Sequence, residues 1–142
     1  FTREISNVAP YEPGQFYRRE LPCLLAVLDA LPMTPDLVLI DAYVFLDERM
    51  TPGLGAHLHR ALGGACAVVG VAKTRYEGAP ALAVARGESR NPLLVSALGL
   101  PLPEAAAGVA AMHGAFRIPT LLKRVDRLCR GRERNAGGFP PP

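Results

Sequence analysis

Cysteine is scarce: the 142 residues hold three, Cys23, Cys66 and Cys129. The number is odd and no Cys-x-x-Cys occurs, so neither a disulfide framework nor a structural zinc site is predicted. Each lies among apolar neighbours and is expected to be a buried thiol in a reducing compartment. Long apolar runs are also missing, and none approaches the roughly 18 residues that a membrane span requires. There is no collagen or heptad period and no internal repeat, and an apolar content of 49% excludes wholesale disorder. No Gly-x-Ser-x-Gly elbow or Walker loop occurs. Charge is not one-sided either. Sixteen Lys and Arg stand against 13 Asp and Glu, giving +3, short of the strongly basic balance of a dedicated nucleic-acid binder. The sequence opens on Phe1, without an initiator Met or a signal-peptide pattern, and is read as a piece of a longer, cytoplasmic chain.

What is present is enough for one domain, expected over residues 1–130, with a disordered tail at 131–142. Gly and Pro, at 14 each, imply many short elements and turns. Residues 1–9 alternate loosely and suggest an outlying strand. Pro10-Tyr11-Glu12-Pro13-Gly14 is a rigid turn, because two prolines fix φ and the glycine permits a reversal. A helix is predicted over 16–31 from Phe16, Leu21, Leu24, Leu25, Leu28 and Leu31, with Pro22 early in it. Leu37-Val38-Leu39-Ile40 closed by Asp41 reads as a buried strand ending in an acid, and 42–52 as loop. A helix over 54–62 precedes Gly63-Gly64, and residues 66–72 are a second buried strand ending in Lys73. Short strands at 81–86 and 91–96 follow, then helices over 104–115 and 120–130. This alternation predicts a mixed α/β sheet with helices on both faces. In such sheets functional groups collect at the carboxyl ends of strands, where Asp41 and Lys73 are placed.

An ionised carboxylate at the end of an apolar strand needs a cation nearby, so Asp41 calls for a metal, a lysine or a helix terminus. Glu20, on the preceding helix, is a second acid that can share a divalent ion through oxygen. Lys73 can neutralise a phosphate or a developing negative charge. Taken singly, an acid at a strand end serves as often as a cap or salt-bridge partner, and a lone lysine is more often a surface residue. Gly53-Leu54-Gly55 lacks the third glycine of a dinucleotide loop and follows no strand. His57 and His59, two apart on a helix, point in different directions and do not chelate one ion, and His113 has no evident partner. The late basic residues, Arg117, Lys123, Arg124, Arg127, Arg130, Arg132 and Arg134, fit a solvated helix or a phosphate-facing patch equally well.

The order of these motifs resembles the endonuclease V family. Residues 8–22, with Pro10-Tyr11-Glu12-Pro13-Gly14 and Arg19-Glu20, are similar to its Pro-Tyr-x-Pro-Gly…Arg-Glu segment. Leu37 to Asp41 resembles its second metal strand, Gly55-Ala56-His57-Leu58 its Gly-x-Ala-x-His-Leu helix, and Gly70-Val71-Ala72-Lys73 its Gly-Val-Ala-Lys strand. Pro92 to Ser96 and Phe116-Arg117-Ile118-Pro119-Thr120…Asp126-Arg127-Leu128 follow in the family's order. The resemblance implies a ribonuclease H-like fold whose first strand, carrying a metal-binding Asp, precedes Phe1. It implies a Mg²⁺-dependent endonuclease, with Mn²⁺ as the alternative ion, acting in a DNA-repair-like role. Such an enzyme hydrolyses the second phosphodiester 3′ to inosine, a deaminated base, in DNA or RNA. Glu20 and Asp41 then match metal-binding acids, and Lys73 the lysine near the scissile phosphate. Pro10, Tyr11, Glu12 and Pro13 match a wedge that enters nucleic acid, and Gly14 part of the inosine pocket. The chain departs from the pattern in three places. Ala42 stands where the family has Gly, and its Cβ is expected to crowd the pocket. Asp47-Glu48-Arg49 replaces a His-Pro-Arg, and Val95 to Leu100 lacks a histidine. A catalytically impaired nucleic-acid-binding protein is therefore the alternative, and an unrelated nucleotide- or small-molecule-binding α/β domain the third reading.

Overall fold

The computed structural model describes residues 2–132. Eight elements follow one another: α1 (Phe16–Leu28), β1 (Leu37–Ile40), α2 (Leu54–Ala61), β2 (Ala67–Ala72), β3 (Leu82–Val84), β4 (Leu93–Leu98), α3 (Leu102–Ala111) and α4 (Thr120–Cys129). The strands form one sheet in the order β1-β2-β4-β3. β1 and β2 run parallel, from Leu37 opposite Ala67 to Ile40 opposite Gly70. Parallel neighbours need a crossover, and the connection through α2 supplies it. β4 lies antiparallel to both β2 and β3, so the sheet is mixed, as the alternation predicts.

Side-chain alternation along β2 sorts two cores onto the two faces. Val69 and Val71 join Val84, Leu93, Val95 and the α3 residues Ala105 and Val109 on one face. Val68 joins Ile40, Val44 and the α2 residues Leu54, Ala56 and Leu58 on the other, where α1 adds Leu21, Leu24, Leu25 and Leu28. Helices thus cover both faces. Neither α1 nor α4 has a fully buried residue, so each lies on its core rather than in it.

Several expectations are corrected. Residues 2–9 form no strand. Pro22 falls past the first turn of α1, where its missing N–H leaves the Arg18 carbonyl without its i+4 donor. The 42–52 segment is more than loop: Phe45 bridges Pro52, and Asp47 closes the reversal by accepting from the Arg49 and Thr51 amides and the Thr51 hydroxyl. Of the thiols, Cys66 is buried, Cys23 half-buried and Cys129 exposed. His113 has a partner, its Nδ1 lying 3.1 Å from Thr120 Oγ1. As expected, His57 and His59 diverge, one stacking on Tyr17 and the other bonding the Cys66 carbonyl at 2.8 Å. α4 closes at Gly131, whose positive φ lets the Gly131 and Arg132 amides reach the Leu128 and Arg127 carbonyls. The rest of the expected tail, 133–142, lies outside the described residues.

Gly70 is where the chain passes closest over the sheet. A Cβ there would sit 2.3 Å from the Ala42 carbonyl oxygen and 2.5 Å from Ser96 Oγ. Ser96 Oγ in turn accepts the Val44 amide at 3.0 Å and fixes the segment that leaves β1. Gly70→Ala is expected to destabilise the fold by about 1–3 kcal/mol, as overpacking against backbone does, read as a lower urea midpoint.

The Tyr17 and His57 rings stack at 3.6 Å and 12°, joining α1 to α2. Burial, with the Arg60 charge adding, lowers the His57 pKa below its ordinary 6.5. On acidification the unfolded chain takes up this proton first. The stabilisation is complete above the unfolded value and is lost as pH falls through the lowered folded value. Urea midpoints should therefore drop between about pH 7.5 and pH 5. The drop should be smaller in His57→Phe, which keeps a ring on Tyr17 but cannot titrate.

Candidate functional site

Because β1 and β2 are parallel, their carboxyl ends emerge at one edge of the sheet. Asp41 follows β1 directly and Lys73 follows β2 directly, and both continue the alternation of Leu39 and Val71. Their side chains meet: Lys73 Nζ donates to Asp41 Oδ2 at 2.6 Å, with both groups well exposed. The lysine that the sequence offers as a cation for Asp41 is the one found there.

Two cavities flank this pair, and Asp41 and Lys73 line both. One, about 520 Å³, is walled by Tyr11, Gly14 and Tyr17 from the amino-terminal side and by Ala42, Tyr43 and Tyr76 from the loops beyond β1 and β2. Ala42 is among the residues that line it and also packs against the core beneath α1 and α2. The other, about 720 Å³, runs between the sheet and α4, past Leu39, Val71, Leu93, Leu122 and Val125 to Phe116 and Arg117.

The remaining residues singled out in the sequence divide. Pro10, Tyr11, Glu12, Pro13 and Gly14 are all exposed. The Glu12 carbonyl accepts the Gln15 amide at 3.0 Å and its carboxylate lies 3.9 Å from Arg18, which ties the turn to the start of α1. Tyr11 is 62% exposed, so its ring face is available for stacking. Glu20 lies one turn beyond Tyr17, on the same side of α1, with Arg19 3.9 Å away, and it lines neither cavity. The late basic residues separate as well. Arg117 and Lys123 line the larger cavity, with Lys123 over the Phe116 ring, while Arg130 pairs with Asp126 at 3.0 Å.

Mg²⁺ is commonly held by one or two carboxylates, with water and phosphate oxygens completing the shell. Glu20 and Asp41 fit that demand in donor type. Among the described residues no group of three or more His, Cys, Asp or Glu is placed to hold an ion, and the two acids stand on separate elements, Asp41 at the end of β1 and Glu20 on α1, where it lines neither cavity.

Sequence reasoning missed two contributors. Tyr43 Oη donates to the Thr74 carbonyl at 2.8 Å and accepts the Tyr76 amide at 3.1 Å, and so fixes the loop after Lys73. The two rings lie 6.2 Å apart at 52°. Tyr43 stands two residues past Asp41 and Tyr76 three past Lys73, and that proximity to the strand ends was the available signal. Arg117 stands out in the sequence as a late basic residue and as part of a motif, and neither reading shows its main-chain partners. It donates through Nη2 to the Pro92 carbonyl at 3.0 Å and to the Lys73 carbonyl.

The Endonuclease V family model matches residues 2–102. Endonuclease V of Streptomyces avermitilis is 36% identical over 143 residues, covering 85% of this chain and 61% of its own length. That of Streptomyces coelicolor is 35% identical over 149 residues, covering 89% and 62%. The crystal structure of the Streptomyces avermitilis endonuclease V superposes with a TM-score of 0.68 at 31% identity, over 86% of this chain and 61% of that one. A Ciona intestinalis endonuclease V, in complex with a 23mer DNA containing an inosine followed by a ribo-adenosine, gives a TM-score of 0.73 at 21% identity. It covers 87% of this chain and 66% of its own, and at that identity it speaks for the fold alone. The expected ribonuclease H-like arrangement, a mixed sheet flanked by helices, is the one found. The chain spans about three-fifths of the length of the two Streptomyces relatives.

Exposed ion pairs contribute little to folding, about 0–1 kcal/mol, because water screens them. Asp41→Asn and Lys73→Met are therefore each expected to shift unfolding stability by less than about 1 kcal/mol in urea titrations. A larger loss would make the pair a structural strut.

Proposed function

The chain belongs to the endonuclease V family, and from that premise we propose that it works as a Mg²⁺-dependent endonuclease, with Mn²⁺ as the alternative ion. The substrate is DNA or RNA holding a deaminated base, inosine, the bond cut lies 3′ to that base, and the role is of the DNA-repair kind. One observation carries the reading. An exposed carboxylate and ammonium stand in contact at the rim of an aromatic-walled cavity, beside a tyrosine held between prolines.

Each residue has a part. Tyr11, stiffened by Pro10 and Pro13, stacks where a base leaves the helix, and Glu12 and Gly14 set the angle of the turn. The extruded base enters the cavity walled by Tyr43 and Tyr76, with Ala42 narrowing it. Lys73 donates to the phosphate that arrives at the rim. As its hydrogen bond passes from Asp41 to a phosphate oxygen, both Asp41 oxygens become free acceptors. Asp41 and Glu20 would hold the ion, which when bound lowers the pKa of water and polarises the phosphoryl oxygen. A modest +3 charge suits this, since a short stretch of backbone is gripped at a few points.

A second reading, binding without cleavage, is favoured by Asp41 already being engaged by Lys73 and by Ala42 in the cavity wall. The two separate in one assay with the full-length protein and an end-labelled oligonucleotide containing one inosine. The first expects nicking that requires Mg²⁺ or Mn²⁺ and falls about 100-fold or more in Glu20→Ala, Asp41→Ala and Lys73→Ala. The second expects salt-sensitive retention of the oligonucleotide and no product. Cleavage that survives Asp41→Ala would move the chemistry elsewhere.

A further inference from the structure

Arg86 follows β3 and is 6% exposed, an uncommon place for a guanidinium. Its donors are spent on main-chain carbonyls. Nε reaches Ala110 at 3.4 Å, Nη1 reaches Phe116 at 3.0 Å and Arg117 at 3.3 Å, and Nη2 reaches Gly114 at 3.0 Å and Met112. One planar fork with five N–H donors thus gathers the end of α3 and the start of the path to α4. This explains why α3 stops at Ala111 although the alanine-rich pattern runs on to Ala115. The carbonyls of that stretch turn to Arg86 instead of to the next helical turn.

The gathered segment ends on Arg117. Its Nη2 donates to the Pro92 carbonyl at 3.0 Å and to the Lys73 carbonyl, so it spans the exit of β2 and the entry of β4. Its Nε is buried without a hydrogen bond. An unpaired buried N–H is costly, so the side chain is held by what its terminal nitrogen grips. Each link acts on a main-chain oxygen, and the last of these oxygens belongs to Lys73.

We propose that Arg86 and Arg117 are positioning residues for Lys73: Arg86 fixes the 110–117 path, that path aims Arg117, and Arg117 fixes the backbone from which the Lys73 ammonium projects. The catalytic consequence rests on the nuclease reading above, while the mechanical one does not, and the experiment keeps them apart.

Lys73 and Lys123 are the two lysines of this sequence. In the full-length protein carrying ¹³C-methylated lysines, the Lys73 resonance is identified by its loss in Lys73→Arg. Asp41→Asn gives its position when the ammonium is released. In Arg117→Gln and in Arg86→Lys, which keeps the charge but loses the fork, the Lys73 resonance should move at least halfway to that position. The Lys123 resonance should stay in place in Arg117→Gln, which leaves the Arg86 fork intact, and should move in Arg86→Lys, because Lys123 lies over the Phe116 ring of the path that Arg86 holds. Arg117→Lys, whose new lysine gives a resonance of its own, should leave the Lys73 resonance nearer its parent position than Arg117→Gln does. Arg117 is partly exposed, so its variants report even if Arg86→Lys fails to fold. A Lys73 resonance unchanged in Arg117→Gln overturns the proposal.

In the cleavage assay, Arg117→Gln should lower the single-turnover rate at saturating oligonucleotide about 10–100-fold, as small misplacements of a reacting group do. The Kd should stay within about twofold and its salt dependence should be unchanged. A raised Kd with a shallower salt dependence would make Arg117 a phosphate contact and overturn the positioning role. A parent protein that cuts nothing would sink the nuclease reading alone, and the resonance shifts would still decide whether Arg117 holds Lys73.

Discussion

The site depends on a close approach at a residue with no side chain. Where the chain leaves β1 it must turn across β2 at once, and Gly70 leaves the gap through which the Ala42 carbonyl passes. Ser96, from the strand on the far side of β2, then holds the Val44 amide. Three strands therefore fix the direction in which Asp41 leaves the sheet. Parallel pairing of β1 with β2 brings Lys73 to the same edge and the same face. The 2.6 Å contact between the two side chains is the outcome of backbone packing, and the weak attraction of two exposed charges did not have to build it.

The strands were legible as short apolar runs, each of β1 and β2 closed by a single charge; β2 is buried along nearly its whole length, whereas β1, expected to be buried, is an outer strand exposed at Leu37 and buried at Ile40. Three of the four helices start within about a residue of where their apolar spacing places them. Asp41 and Lys73 were legible for the same reason, since a charge that ends an apolar strand has few places to go. The failures share another cause. Residues 2–9 alternate but have no neighbouring strand to pair with, so the pattern alone produces nothing. Asp47 and Ser96 act through hydrogen bonds to main-chain groups, which leave no periodic mark. Arg86 is the plainest instance. In the sequence it is one more basic residue in a turn, and only the convergence of five carbonyls from a segment more than twenty residues later shows its use.

The charges also divide by task. Asp41 and Lys73 are exposed and satisfy one another. Arg86 is buried and faces peptide dipoles, and Arg117 is intermediate in both exposure and partners. Only the first pair is free to exchange a protein partner for one from solution. For the two arginines such an exchange would strip carbonyls of their donors, which confines them to support.

The unequal attachment of the helices has its own result. Lys73 extends from β2, an inner strand, and Asp41 from β1, an outer strand paired along its length with β2. The cavity walls come from elsewhere: Tyr17 belongs to α1, and Leu122 and Val125 belong to α4, two helices without a single fully buried residue. The floor of the site is therefore stiff and its walls compliant. A bulky polymer can part the helices by a local fluctuation while the charged groups beneath keep their separation, and a ligand small enough to leave the walls closed gains nothing from that compliance.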